Sequence, residues 1–161
     1  MIVIKGNLLD TPIKLIAHQV NCQGVMGGGV ARQIKERYPE IYQNYQEKLK
    51  NYVKRTGRRP LGLSFNLTTE DNTHTIMNIF GQDFYGRDKP YTDYKALFKG
   101  FVDSITDYRD INKFNYDVQI PIAIPYNIGC GLAGGDWNIV EKILKEIEVK
   151  YNVIFIAYKL D

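Results

Sequence analysis

Three consecutive glycines, Gly27 to Gly29, separate the apolar run "KLIAHQVN" from an amphipathic stretch that starts at Val30. The arrangement recurs further on, where "VQIPIAIP" leads into "YNIGCGLAGG" and then into "DWNIVEKILKEIEVKY". Glycine adopts left-handed backbone angles and lets main chain approach a ligand closely. A helix start presents unpaired N–H groups and a partial positive charge. A glycine loop that opens a helix is therefore a cradle for an anion, typically phosphate. Two such loops in one small chain suit a pyrophosphate held between them. Neither is a P-loop, because no Gly-Lys-Ser/Thr follows. "GVMGGGV" also lacks the dinucleotide-binding spacing and its downstream acid.

Two titratable residues flank these loops. His18 lies in the run before the first, and Asp136 follows the second. Histidine titrates near neutral pH and serves as general acid or base. Asp136 can orient it or activate water, and it also stands where a helix N-cap belongs. A strand histidine is equally at home as a satisfied core residue. His74, near a strand end, reads as a bystander. Cys130 reads as a small filler in the second loop, whose chemistry belongs to backbone N–H groups.

The elements that position these residues follow from periodicity. "MIVIK", "KLIAHQVN", "LGLSFNLT", "HTIMNIFG", "VQIPIAIP" and "VIFIAYK" read as strands, the third and fourth as a hairpin across "TEDNT". The internal proline suggests that "VQIPIAIP" is an edge or bulged strand. Val30, Ala31, Ile34 and Tyr38 have helical spacing, and Pro39 stops that helix. "EIYQNYQEKLKNYVKR" and "TDYKALFKGFVDSITDY" are further helices, the latter capped by Thr92 or Asp93. "GQDFYGRDKPY" is a loop, in which Gln82, Asp83 and Tyr85 are placed to close over a ligand. Strands alternating with helices predict an α/β fold, a mixed sheet covered on both faces. Ligands of such sheets bind at the carboxyl ends of strands, where both glycine loops lie.

The chain has 161 residues, 44% apolar and 24% charged, with a formal net charge of +3. This fits one globular domain, 1–161, with mild affinity for anions. The basic cluster Lys54, Arg55, Arg58 and Arg59 reads as a solvated loop rather than a nucleic-acid face. Cys22 and Cys130 form neither a disulfide framework nor a zinc pattern. The start resembles no signal peptide, and no apolar run reaches the roughly 18 residues of a membrane span. The expectation is a soluble, cytoplasmic monomer with no membrane contact, no metal and no cofactor.

"LIAHQVNCQGVMGGGVARQI" followed by "IPYNIGCGLAGGDW" resembles the macrodomain, the ADP-ribose-binding module. The likeness runs from "GNLLD" to "IAYK" and is strongest to one branch. That branch holds the yeast-type ADP-ribose 1''-phosphate phosphatase, the terminal ADP-ribose glycohydrolases and the DNA ADP-ribosyl glycohydrolases. It implies a three-layer α/β/α fold with a central mixed sheet. It implies a small-molecule ligand, ADP-ribose or a derivative, with ADP-ribosylated macromolecules as a second class of partner. Asn7, Leu8 and Tyr158 match the adenine side, and Asn21 the distal ribose. Gly27, Gly28, Gly29 and Val30 match one wall of the diphosphate cradle. Ile128, Gly129, Cys130, Gly131, Leu132 and Ala133 match the other. His18 and Asp136 match the pair assigned to catalysis in the phosphatases. The lysine of the glycohydrolases falls at Gln82 or Asp83, so their lysine-dependent route has no counterpart. The resemblance therefore implies hydrolysis of ADP-ribose 1''-phosphate, with ADP-ribosyl glycohydrolysis or non-catalytic reading as alternatives.

Overall fold

A computed structural model describes residues 1–160. Among them a six-stranded sheet runs in the order β1-β6-β5-β2-β4-β3. The strands are β1 (Ile2–Lys5), β2 (Leu15–Val20), β3 (Ser64–Thr68), β4 (Thr75–Phe80), β5 (Ile120–Pro125) and β6 (Val153–Lys159). Pairing is parallel except between β3 and β4, the expected hairpin. The helices are α1 (Gly29–Arg37), α2 (Pro39–Thr56), α3 (Tyr94–Asn112) and α4 (Trp137–Tyr151).

The helices form two layers because successive side chains of a strand face opposite ways. Leu15 and Ala17 of β2 join Phe101, Val140 and Leu144 in the core beneath α3 and α4. Ile16 faces the other way, with Ile34 and Ile41 beneath α1 and α2. The result is the three-layer α/β/α arrangement with a mixed sheet.

Local signals explain most boundaries. Tyr38 ends α1, and Pro39 opens α2 at a position where its missing N–H costs nothing. Gly57 closes α2 in the left-handed region at φ 70°. Asp93, not Thr92, caps α3 by accepting from the Ala96 N–H at 3.0 Å.

The edge placement, one of the two alternatives expected for "VQIPIAIP", is overturned. β5 is a central strand, between β6 and β2. Its prolines are accommodated because pairing with β2 is confined to Ile16 opposite Ala123. A ladder that short demands no N–H from Pro121 or Pro125. The edge strands are β1 and β3, and on β1 Ile2 and Val3 are about half exposed.

The α3 layer sits close to the sheet through Gly100. A Cβ there would stand 2.7 Å from Ile79 Cγ2 and 3.0 Å from the Leu63 carbonyl oxygen. Neither is the free end of a flexible chain. Gly100→Ala is therefore expected to destabilise the fold by about 1–3 kcal/mol, the usual cost of overpacking. Urea unfolding checks it, and an unchanged midpoint refutes it.

Candidate functional site: a cleft between two glycine loops

The first loop is built from within by Asn21. Its Oδ1 accepts from the Gln23 N–H at 2.9 Å and the Val25 N–H at 3.3 Å, while its Nδ2 donates to the Val25 carbonyl at 2.7 Å. The Tyr45 hydroxyl donates to the Asn21 carbonyl at 2.6 Å, pinning the turn to α2. Gly24 and Gly29 have positive φ, 78° and 58°, angles that other residues seldom adopt. Gly28 is the N-cap of α1 and supplies no side-chain cap. The N–H groups of Gly29, Val30 and Ala31 make no hydrogen bond among the described residues. They are the donors an anion needs.

The second loop, after β5, is closed by its own main chain. Cys130 N–H donates to the Asn127 carbonyl, Gly134 N–H to that of Gly131, and Gly135 N–H to that of Gly129. The N–H groups of Gly131, Leu132 and Ala133 make no such bond among the described residues. Here the donors come from the loop and not from the following helix, because Asp136 caps α4. Its Oδ1 accepts from the Asn138 N–H at 2.9 Å.

The loops face each other across a cavity of about 240 Å³, lined by Gly28 to Ala31 on one side and Ile128, Gly129 and Gly131 to Ala133 on the other. Bare backbone is required where they meet: a Cβ on Gly28 would lie 2.6 Å from Leu132 Cδ1. An adjoining cavity of about 330 Å³ shares Gly28, Leu132 and Gln82 and adds Asn21, Gly27, Tyr85 and Arg87. Together they form one cleft at the carboxyl ends of β2 and β5. Arg87 is the residue on its walls that is charged at neutral pH, a sign suited to an anion.

His18 lines the cleft and is only 2% exposed. Its Nε2 lies 2.7 Å from Asn78 Oδ1, and its Nδ1 has no partner among the described residues. Burial pushes its pKa down from the usual 6.5 to about 4, against a small upward pull from the Asn78 hydrogen bond. The ring is thus neutral at pH 7. A proton that the unfolded chain takes up below pH 6.5 is refused by the folded one until about pH 4. Stability due to neutral His18 is complete above pH 6.5 and lost as pH falls towards 4, on the order of 3 kcal/mol across the window. Urea unfolding at neutral pH and near the bottom of that window should show this loss in the native protein and not in His18→Gln. Equal pH dependence of the two would refute it.

Gln19, the next residue along β2, faces the α3/α4 side and lines both cavities. Its Nε2 donates to Gln82 Oε1 at 2.8 Å and to Thr92 Oγ1 at 2.9 Å, and the Thr92 hydroxyl donates to the Gly129 carbonyl at 2.6 Å. This network ties the 81–92 loop to the second glycine loop. Cys22 N–H donates to the Asp83 carbonyl at 2.9 Å, which ties it to the first. Arg59 grips both carboxylate oxygens of Asp83 at 2.6 Å. Arg59 is therefore an anchor, not part of a merely solvated cluster. Gln82 and Tyr85 line the cleft as expected, whereas Asp83 is occupied in holding the loop.

Other expected site residues lie elsewhere. Asp136 is exposed, does not line the cleft, and makes no bond to His18, so it does not orient the ring. The cap geometry directs it to its own helix. Cys130 does not line the cavity either; its thiol is directed to the Ile128 carbonyl at 3.4 Å. Burial, and then Asp136, push its pKa up to about 11, which makes it a poor nucleophile. Asn7 Oδ1 accepts from the Leu9 N–H at 3.0 Å, and Leu8 is buried beside α1. Tyr158 holds Thr11 through its hydroxyl at 2.7 Å. None of the three lines the cleft; Tyr158 adjoins it through its strand partner Pro125, which does line it. His74 is remote from the cleft, with Nε2 at 2.9 Å from the Thr11 carbonyl.

Residues 17–144 match the sequence model of the Macro domain family. The chain belongs to the macrodomain family. Among relatives of this macrodomain, the ADP-ribose 1''-phosphate phosphatase of Saccharomyces cerevisiae is 25% identical over 98% of this chain and 97% of its own length. The DNA ADP-ribosyl glycohydrolase of Mycobacterium tuberculosis is 32% identical over 86% of this chain. The aligned region is only 36% of that larger protein. The solved macrodomain of Mycobacterium tuberculosis DarG superposes with a TM-score of 0.74 at 28% identity, covering 98% of this chain and 97% of that one.

Gln19, Asn78, Thr92 and Arg59 were not singled out from the sequence as site residues. Gln19 had a usable signal, because it neighbours His18 at the end of a strand that feeds the loop. The others depend on how strands and loops pair.

Proposed function

We propose that this macrodomain binds ADP-ribose in the cleft and hydrolyses ADP-ribose 1''-phosphate to ADP-ribose and phosphate. The observation that carries this reading is the pair of facing glycine loops, with uncommitted N–H groups on both walls and neutral His18 between them. A diphosphate takes up such donors with little reorganisation, since backbone groups are already fixed. The full-length alignment with a phosphatase of that specificity supports the choice of substrate. Neutral His18 is suited to accept a proton or hydrogen bond, not to deliver a proton at pH 7. Asp136 is committed to the α4 cap, so the proposal places the catalytic weight on His18.

A second reading rests on the 32% identity to a DNA ADP-ribosyl glycohydrolase. The resemblance aligns the catalytic lysine with Gln82 or Asp83, of which Gln82 lines the cleft, so this activity would use a different route.

Calorimetric titration with ADP-ribose, followed by phosphate release from ADP-ribose 1''-phosphate, tests the proposal. Binding with release supports it. Binding without release, together with cleavage of ADP-ribosylated DNA, moves the assignment to the second reading. No binding overturns both.

A further inference from the structure

The amide of Asn78 has one permitted orientation. Asn78 is fully buried in β4. Its Nδ2 donates to the Phe65 carbonyl at 2.9 Å and to the Ile76 carbonyl at 3.2 Å. Carbonyl oxygens only accept, so rotating the amide would set its oxygen against two acceptors and leave buried groups unpaired. Asn78 Oδ1 is therefore the atom that meets His18 Nε2, at 2.7 Å. An amide oxygen also only accepts, so Nε2 must carry the hydrogen. A neutral imidazole has a single N–H, and Nδ1 is left with its lone pair.

We propose that Asn78 is a positioning residue: it locks His18 in the Nε2–H tautomer and leaves Nδ1, buried and without a partner on a cleft-lining ring, as a pure hydrogen-bond acceptor for the cleft ligand. The group it meets is a donor, a ligand hydroxyl or a water molecule, and not a phosphoryl oxygen. A phosphoryl oxygen belongs instead against the N–H groups of the two glycine loops. The same lock divides the cleft by polarity, with donors on the loop walls and an acceptor at the end of β2. A ribosyl diphosphate has both kinds of group, hydroxyls that donate and phosphates that accept. The ligand half of the proposal rests on the ADP-ribose reading; the tautomer half stands without it.

The test is long-range 1H–15N correlation spectroscopy of the 15N-labelled protein at neutral pH. The chain has two histidines, and His18→Gln identifies the second set of ring signals as that of His74. For His18 the expected result is a protonated Nε2 and an unprotonated Nδ1 in the ligand-free protein. An Nδ1–H tautomer, a mixture, or a doubly protonated ring overturns the lock. Adding ADP-ribose to saturation should shift Nδ1 and leave Nε2 in place. Saturation with Nδ1 unmoved overturns the ligand half, whereas failure to saturate defeats the ADP-ribose reading and leaves the tautomer result standing. Asn78→Ala should give a tautomer mixture. It should also lower kcat for phosphate release on the order of 10²–10⁴-fold with KM little changed, the scale on which a misplaced histidine proton costs. If Asn78→Ala keeps a single tautomer and full kcat, Asn78 is only a packing residue. The measurement on the unsubstituted protein decides the tautomer even where the variant does not fold.

Discussion

His18→Gln is expected to lower the rate of phosphate release from ADP-ribose 1''-phosphate by about 10²–10⁴-fold, the contribution of one positioned acid–base group. ADP-ribose affinity changes far less, because the donors assigned to the diphosphate are backbone N–H groups of Gly29 to Ala31 and Gly131 to Ala133. The split between kcat and affinity is the informative part. His18 lies between the two loop walls, so its loss removes a proton or hydrogen-bond acceptor without dismantling either cradle. Steady-state phosphate release and calorimetry with ADP-ribose read the two quantities separately. A parallel loss of both would show that His18 shapes the cleft rather than serving the reaction. Unchanged turnover would remove it from the mechanism.

Arg109→Leu is expected to destabilise the fold by about 2–4 kcal/mol, because several buried carbonyls lose a charged donor and each such bond is worth roughly 1.5–3 kcal/mol. Arg109 is 2% exposed near the end of α3. Its Nη1 donates to the Asn115 carbonyl at 2.6 Å, and its Nη2 to the carbonyls of Tyr151 and Asn152 at 2.9 and 3.1 Å. The guanidinium also lies over the Tyr116 ring, 4.6 Å from its centroid. One side chain thus joins α3, the 113–119 connection and the end of α4. Leucine is similar in bulk but leaves three carbonyls without that donor. Urea unfolding measures the loss, and a change below about 1 kcal/mol would mean that water replaces the guanidinium at little cost. The cleft lies at the other end of β5 and β6, so ADP-ribose affinity of the folded variant should stay close to that of the native protein.

Much of the architecture could be read along the chain because its signals are local. A change of period from two to three and four marks β2 giving way to α1, and Pro39 and Gly57 bracket α2 by what their backbones permit. The glycine loops are legible for the same reason. Their conformations need residues without a Cβ, and nothing distant is required to recognise that need. The misreading of β5 shows the limit. A proline inside an apolar run argues for an edge or a bulge, yet the strand is central, and its prolines are tolerated because its contact with β2 is so short.

The sequence by itself determined the alternation of strands and helices, the two anion cradles and the presence of His18 on the strand that feeds the first of them. All of these depend on backbone preference and hydrophobic period over a few residues. Only the tertiary structure decided what the side chains do there. Asn78, 60 residues from His18, becomes its partner because β4 pairs with β2 in a register that sets the two side by side. Arg59 reaches Asp83 across the mouth of the hairpin, and Asp136 turns to its own helix instead of to the histidine. Such partners are chosen by strand order and crossover, which join segments far apart in the chain, and no local spacing encodes that choice.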